Sequence, residues 1–262
     1  MVLSLCIVTY NNQDNIEEAL SSVFRYSGDY ELKVYISDNR SSDDTVKLVR
    51  EGFPNVNVIC NKENKGFGNG HNAVMEYLDS DYHFIMNPDI VFNDDVLSQY
   101  VDFFEKNKDV VMAVPKFRYK NGEEQFTPKL RPKLRYMLGG RFERFGGIFK
   151  KWRDEYTMKD IMPTETVDVG FCSGCFIAVR TDIFKKIGGF DERYFLYNED
   201  ADITRMAQRY GRTVYTPHIC LTHLWERAYM KKLKYFFIQI SSMLKYFYKW
   251  RSDGKYVGEK ND

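Results

Sequence analysis

Residues 3–9 form a nearly unbroken apolar run of strand length that stops at Tyr10-Asn11-Asn12, and residues 14–26 then space Ile16, Leu20, Val23 and Phe24 at helical intervals. The unit is strand, loop, helix, and it recurs. Residues 33–37 run into Asp38-Asn39-Arg40-Ser41-Ser42-Asp43 and a helical pattern over 45–51. A third strand over 56–60 leads to Asn64-Lys65-Gly66-Phe67-Gly68-Asn69-Gly70 and a helix through Ala73, Val74, Tyr77 and Leu78. A fourth strand, 82–86, ends at Asn87-Pro88-Asp89. Strands that are apolar throughout and alternate with amphipathic helices predict an α/β fold, with a mostly parallel central sheet flanked by helices.

Ligands bind at the carboxyl ends of the strands in such sheets. Thr9, Asp38, the 65–70 loop and Asp89 all follow strand ends, so one crevice should gather them. Pro88 fixes its own φ and holds Asn87 extended, which places the Asp89 carboxylate in a stiff turn. One carboxylate plus a diphosphate can hold a hard divalent cation that keeps part of its water. The glycines of 66–70 lack the G-x-G-x-x-G spacing and do not follow the first strand, which argues against a dinucleotide-binding site.

Beyond Pro115 the alternation lapses into a basic segment, 116–163, that reads as a surface excursion or lid. Between Lys116 and Arg153 there are 12 basic residues against three Glu. Order resumes with residues 167–180, a helix near 181–187 and another over about 198–210. The last segment, 226–262, places Leu233, Phe236, Phe237, Ile240, Met243, Leu244 and Phe247 at helical spacing among lysines. This basic amphipathic helix could pack on the domain, pair with a second subunit in a homodimer, or lie on an anionic membrane surface.

The 262 residues, 44% of them hydrophobic, suffice for one main domain over 1–225 with this segment appended. A net charge of +1 argues against a chain that works by coating nucleic acid. Five cysteines, an odd number, fit reduced thiols in a cytoplasmic protein better than a disulfide framework. Cys172-Ser173-Gly174-Cys175 has redox or zinc spacing but no second Cys/His pair nearby. The apolar N-terminus lacks a basic flank and is too short to span a bilayer.

The order of Val8-Thr9-Tyr10-Asn11, Ser37-Asp38-Asn39, Asn64-Lys65-Gly66-Phe67, Asn87-Pro88-Asp89, Ser173-Gly174-Cys175 with Arg180, Gly188-Gly189-Phe190-Asp191-Glu192, Tyr197-Asn198-Glu199-Asp200-Ala201-Asp202 with Arg205, and His223 resembles the family 2 inverting glycosyltransferases of the GT-A (Rossmann-like) fold. The Asn-Pro-Asp form and the run through Asp202 are most similar to the rhamnosyltransferase-like branch. The resemblance spans roughly 3–225.

It implies that Thr9, Tyr10, Asn11, Asp38, Asn39, Asn64, Lys65, Gly66, Phe67, Asn72, Asn87 and Asp89 bind the nucleotide donor, with Asp38 accepting from the N3–H of a pyrimidine base. Asp89 corresponds to the metal-binding acid of the D-x-D motif, whose first Asp is replaced here by Asn87. Asp200, with Glu199 beside it, takes the place of the catalytic base that an attacking hydroxyl requires. Ser173, Gly174, Cys175 and Arg205 lie toward acceptor and donor sugar. His223, which fits the register better than His218, joins Asp89 in holding Mn²⁺ or Mg²⁺. The implied donor is dTDP-rhamnose, with a UDP-sugar as the alternative, and the implied acceptor is a glycan on a polyprenyl lipid. The setting would be cytoplasmic, with peripheral membrane attachment through the last helix. A sugar-nucleotide nucleotidyltransferase would need a Gly- and Arg/Lys-rich first turn, which Tyr10-Asn11-Asn12 is not.

Overall fold

The computed structural model describes residues 1–125, 127–159, 161, 163–224 and 233–251. Strands β1 (Val2–Thr9), β2 (Glu31–Asp38), β3 (Asn57–Cys60) and β4 (Tyr82–Met86) lie in the order β3-β2-β1-β4, all parallel. Helices α1 (Ile16–Arg25), α2 (Thr45–Gly52) and α3 (Phe67–Asn72) make the returns. Register sets the site: Thr9 pairs with Asp38, and Ile7 pairs with Met86. Three strands therefore end at one level, as their sequences predict.

The apolar runs are explained by burial on both faces. On one side Leu3, Leu5, Ile7, Phe84 and Met86 pack with Ile16, Leu20, Tyr100 and Phe104. On the other, Cys6, Ile85 and Ile177 pack with Val74, Phe184 and Ile203. The second half of the sheet is mixed. After β5 (Ile90–Val91) and α4 (Val96–Lys106), strand β6 (Val110–Arg118) carries the short partner β7 (Glu124–Gln125). Strand β9 (Phe176–Arg180), which follows the two-residue β8 (Val167–Asp168), runs antiparallel to both β4 and β6. An unbroken apolar strand carries no directional signal, so this reversal is invisible in the pattern.

Strand β10 (Arg212–His223), reached through α7 (Thr181–Lys186) and α8 (Glu199–Ala207), pairs parallel with β6 and antiparallel with β5. Its register jumps between Thr216 and Cys220. That irregularity turns His218 to solvent, while His223, paired with Ile90, is buried.

The basic excursion is more ordered than its sequence suggests. Helices α5 (Leu134–Phe142) and α6 (Gly147–Tyr156) form a hairpin closed by Tyr136 stacked on Tyr156 at 5.2 Å. Gly139, which reads as a helix breaker, permits that approach: a Cβ there would stand 2.9 Å from Cβ of Trp152 and 3.0 Å from the Phe149 carbonyl. Helix α9 (Leu233–Lys249) packs one face on the domain through Tyr246 and Trp250, which join Phe171, Tyr194 and Ala201. Residues Lys231 and Lys232 of the predicted stripe lie outside the described residues.

Candidate active site

The β1 and β2 ends form a closed corner. Thr9 Oγ1 donates to Asp38 Oδ1 at 2.8 Å, while the Ser41 amide donates to Oδ2 at 2.8 Å and the Ser41 hydroxyl to Oδ1 at 2.6 Å. Asp38 is 2% exposed, and Oδ2 keeps lone-pair capacity for one more donor. Asn11 and Arg40 take left-handed φ of 56° and 64°, which lets the two loops bond reciprocally: the Asn11 amide donates to Ser41 Oγ, and the Ser42 amide to Asn11 Oδ1. Tyr10 is exposed at the rim.

Asn39 connects this corner to the glycine segment, donating from Nδ2 to the Gly66 carbonyl at 3.1 Å. The segment is helical from Phe67, where the sequence suggests a loop. Gly66 has φ +100°, and a Cβ there would lie 2.0 Å from the Phe195 carbonyl oxygen, so only glycine fits. Asn64 Oδ1 accepts from the Gly66 amide at 3.0 Å, and Lys65 stands exposed beside Glu63.

At the β4 end, the Asn87 amide donates to the Cys175 carbonyl at 2.9 Å, tying the Asn-Pro-Asp turn to the loop before β9. Asp89 Oδ2 lies 3.3 Å from His223 Nε2, and His223 Nδ1 is 2.9 Å from Gln125 Oε1. Asp89 Oδ1 is buried and has no hydrogen-bond partner. An unpaired buried carboxylate oxygen is costly, and a cation would satisfy it. No group of three or more His, Cys, Asp or Glu that could hold a metal occurs among the described residues. Asp89 and His223 thus fit a divalent cation that takes its other ligands from substrate and water.

Asp200 sits in the first turn of α8, entered through Tyr197 and Asn198 at φ 71° and 64°. Tyr197 pays a strain cost in that region which Asn and Gly tolerate better. Asp200 Oδ2 accepts from the Gly174 amide at 3.1 Å and Oδ1 from the Ala201 amide at 3.0 Å. Gly174 fits closely between Phe67 and Asp200, where a Cβ would approach at 3.2 and 3.4 Å. The neighbouring Ser173 donates to Cys175 Sγ at 3.5 Å.

Burial pushes the Asp200 carboxyl above its ordinary range, opposed by the Lys129 ammonium and the Gly174 and Ala201 amides. Burial and the adjacent Asp200 push Glu199 well up, and its Oε2 is buried without a hydrogen-bond partner. Lys129 was not singled out by its sequence. It arrives because its segment bridges Phe171, with the ammonium 4.4 Å from that ring, and burial lowers its own pKa.

Two candidates serve the scaffold instead. Asn72 has both ends of its amide engaged by the Phe190 backbone, at 2.8 and 2.9 Å. Arg205 stacks on Trp250 at 4.3 Å. The Cys172 and Cys175 thiols are free, and burial raises both, Cys175 to about 11. His71 and His83 are fully buried; His71 packs edge-on to Phe67, and desolvation pushes His83 down to about 3.

A sheet that is parallel through β3-β2-β1-β4 and mixed beyond β4 is the architecture of the GT-A glycosyltransferases, and solved structures share it. The mannosyltransferase PcManGT from Pyrobaculum calidifontis, solved with GDP-Man and Mn²⁺, superposes with a TM-score of 0.64 at 17% identity. It covers 97% of this chain, which spans 65% of that one. The family model described as Glycosyl transferase family 2 matches residues 4–188, and the chain belongs to that family. An N-acetylglucosaminyl-diphospho-decaprenol L-rhamnosyltransferase of Mycobacterium tuberculosis is 27% identical over 236 residues, 85% of this chain and 76% of its own. The rhamnosyltransferase WbbL of Escherichia coli is 25% identical over 233 residues, 84% and 82% of the two chains.

Proposed function

We propose that this glycosyltransferase moves a sugar with inversion from dTDP-rhamnose to a hydroxyl of a polyprenyl-linked glycan, with a divalent cation, Mn²⁺ or Mg²⁺, at the donor diphosphate. The observation that carries the reading is that two carboxylate segments are tied to the loop formed by Ser173, Gly174 and Cys175: the turn bearing Asp89, whose Oδ1 is buried without a partner, bonds the Cys175 carbonyl through Asn87, and the half-buried Asp200 accepts from the Gly174 amide.

Asp38 would use its remaining Oδ2 capacity to accept the N3–H of the base, with Thr9 and Ser41 holding the carboxylate in place. Thymine and uracil present the same N3–H, so a UDP-sugar is the second reading. Tyr10, Asn11, Asn64 and Lys65 line the approach, and Gly66 and Phe67 shape its floor. Asn87 and Asp89 face the diphosphate, and His223, oriented by Gln125, backs Asp89. Asp89 and His223 would hold the cation, which would supply positive charge to neutralise the leaving diphosphate.

Asp200 is the base. It accepts the acceptor hydroxyl's proton while that oxygen forms its bond to sugar C1 and the bond from C1 to the diphosphate oxygen breaks. A carboxyl raised by burial is the stronger proton acceptor, and two amides with Lys129 oppose that rise and favour its ionised form. Burial and the adjacent Asp200 push Glu199 well up, and its Oε2 is buried without a partner, which makes it the poorer base.

Thermal unfolding of the full chain with dTDP- and UDP-sugars, with and without Mn²⁺ or Mg²⁺, tests the reading. A ligand at a hundred times its Kd adds about 2.7 kcal/mol to stability. A rise in Tm with a dTDP-sugar and cation together is expected; no shift with any pyrimidine nucleotide would overturn the proposal.

A further inference from the structure

We propose that the outer faces of α5, the turn that follows it and α9 form one surface that docks on an anionic lipid bilayer. This deepens the reading above and rests on it for the location of the acceptor. Helix α5 exposes Leu134, Leu138 and Phe142 at intervals of four, and Phe145 beyond its end is 64% exposed. Helix α9 exposes Leu233, Phe237, Ile240 and Leu244 in the same way, on the face opposite Tyr246 and Trp250. The two helices touch where the Arg141 guanidinium lies 4.9 Å over the Phe236 ring. Single exposed apolar side chains need no explanation, but two adjoining stripes mark an interaction surface.

Charge selects the partner. Residues 133–156 hold seven cations against three acids, and residues 233–251 hold four cations and no acid. Together they carry +8 in a chain whose total is +1. A second copy would bring one basic surface against another, which opposes a dimer through this surface, whereas anionic headgroups attract it. Arg144 stacked on Phe145 at 4.8 Å and the long stem of the exposed Lys234 suit an interface where rings and methylenes sink and charges remain wet. No helix among the described residues is long and apolar enough to cross a membrane, so α9 would lie in the plane of the interface.

The paired outer residues give the test. Full-length protein is sedimented with vesicles of phosphatidylcholine plus phosphatidylglycerol, and with phosphatidylcholine alone, at low and high salt. The parent should bind the anionic vesicles and release with salt. The Leu134→Gln/Phe145→Gln pair and the Phe237→Gln/Leu244→Gln pair should each weaken that binding about tenfold or more. All four residues are exposed, so both variants should keep the parental Tm and nucleotide response. The proposal is overturned if the parent ignores anionic vesicles, if it binds neutral ones equally, or if the α5 pair binds as the parent does. It is also overturned if ultracentrifugation shows a dimer that these substitutions dissociate. A missing nucleotide response with intact vesicle binding would instead count against the transfer reading alone.

Discussion

His223 Nε2 stands 3.3 Å from Asp89 Oδ2, and the other oxygen of that carboxylate is buried without a partner. The two residues come from strand ends 134 positions apart in sequence, joined where β10 pairs with β5 and where the Leu224 amide donates to the Asp89 carbonyl at 2.8 Å. The His223 ring is also held from its other side, where Nδ1 lies 2.9 Å from Gln125 Oε1.

Removing either member should therefore abolish the cation response before the nucleotide response. Asp89→Asn and His223→Gln are expected to lose the part of the Tm rise that appears only when Mn²⁺ accompanies the nucleotide, and to lower transfer about 10²-fold. Retention of the full cation-dependent rise in both variants would remove them from the metal site.

Lys129 should set the acid limb of the pH–rate profile. The Asp200 carboxyl is raised in the folded protein, so the rate falls as pH drops through a value above the ordinary carboxylate range. Lys129 favours the ionised form, and Lys129→Met should move that limb to higher pH while Lys129→Arg leaves it near the parental position. A limb unchanged in Lys129→Met would show that the ammonium does not act on the base.

Trp250 anchors α9 to the helix that carries Asp200. Its Nε1 donates to Asp202 Oδ1 at 2.7 Å, Lys249 Nζ donates to Asp202 Oδ2 at 2.7 Å, and Arg205 stacks on its ring. Trp250→Ala should cost about 3–5 kcal/mol, a fall in Tm of roughly 6–20 °C at the usual 2–4 °C per kcal/mol for a domain of about this size. Calorimetric scans of the two proteins check this; an unchanged Tm would mean that the contact contributes nothing to the fold.

What was legible in the sequence follows from burial. Strand β4 is found within its predicted bounds because five consecutive buried residues end at a proline turn. The strand-end positions of Thr9 and Asp38 were legible because each closes an apolar run. Three features were hidden. The glycines of 66–70 read as a loop, yet they permit a helix to approach Phe190 and Val8. Asn72 and Arg205 are polar residues within motifs, but the fold consumes Asn72 at the Phe190 backbone and Arg205 under Trp250. Lys129 lies among many cations, and only the chain's return to Phe171 distinguishes it.

The central claim is that Asp200 is the base for sugar transfer from a pyrimidine nucleotide. Single-turnover transfer of labelled rhamnose from dTDP-rhamnose, with Asp200→Asn against the parent, addresses it most directly. The variant should fold, show the parental Tm rise with nucleotide and cation, and transfer about 10²–10⁴-fold more slowly. Transfer at the parental rate by a folded Asp200→Asn would contradict the account.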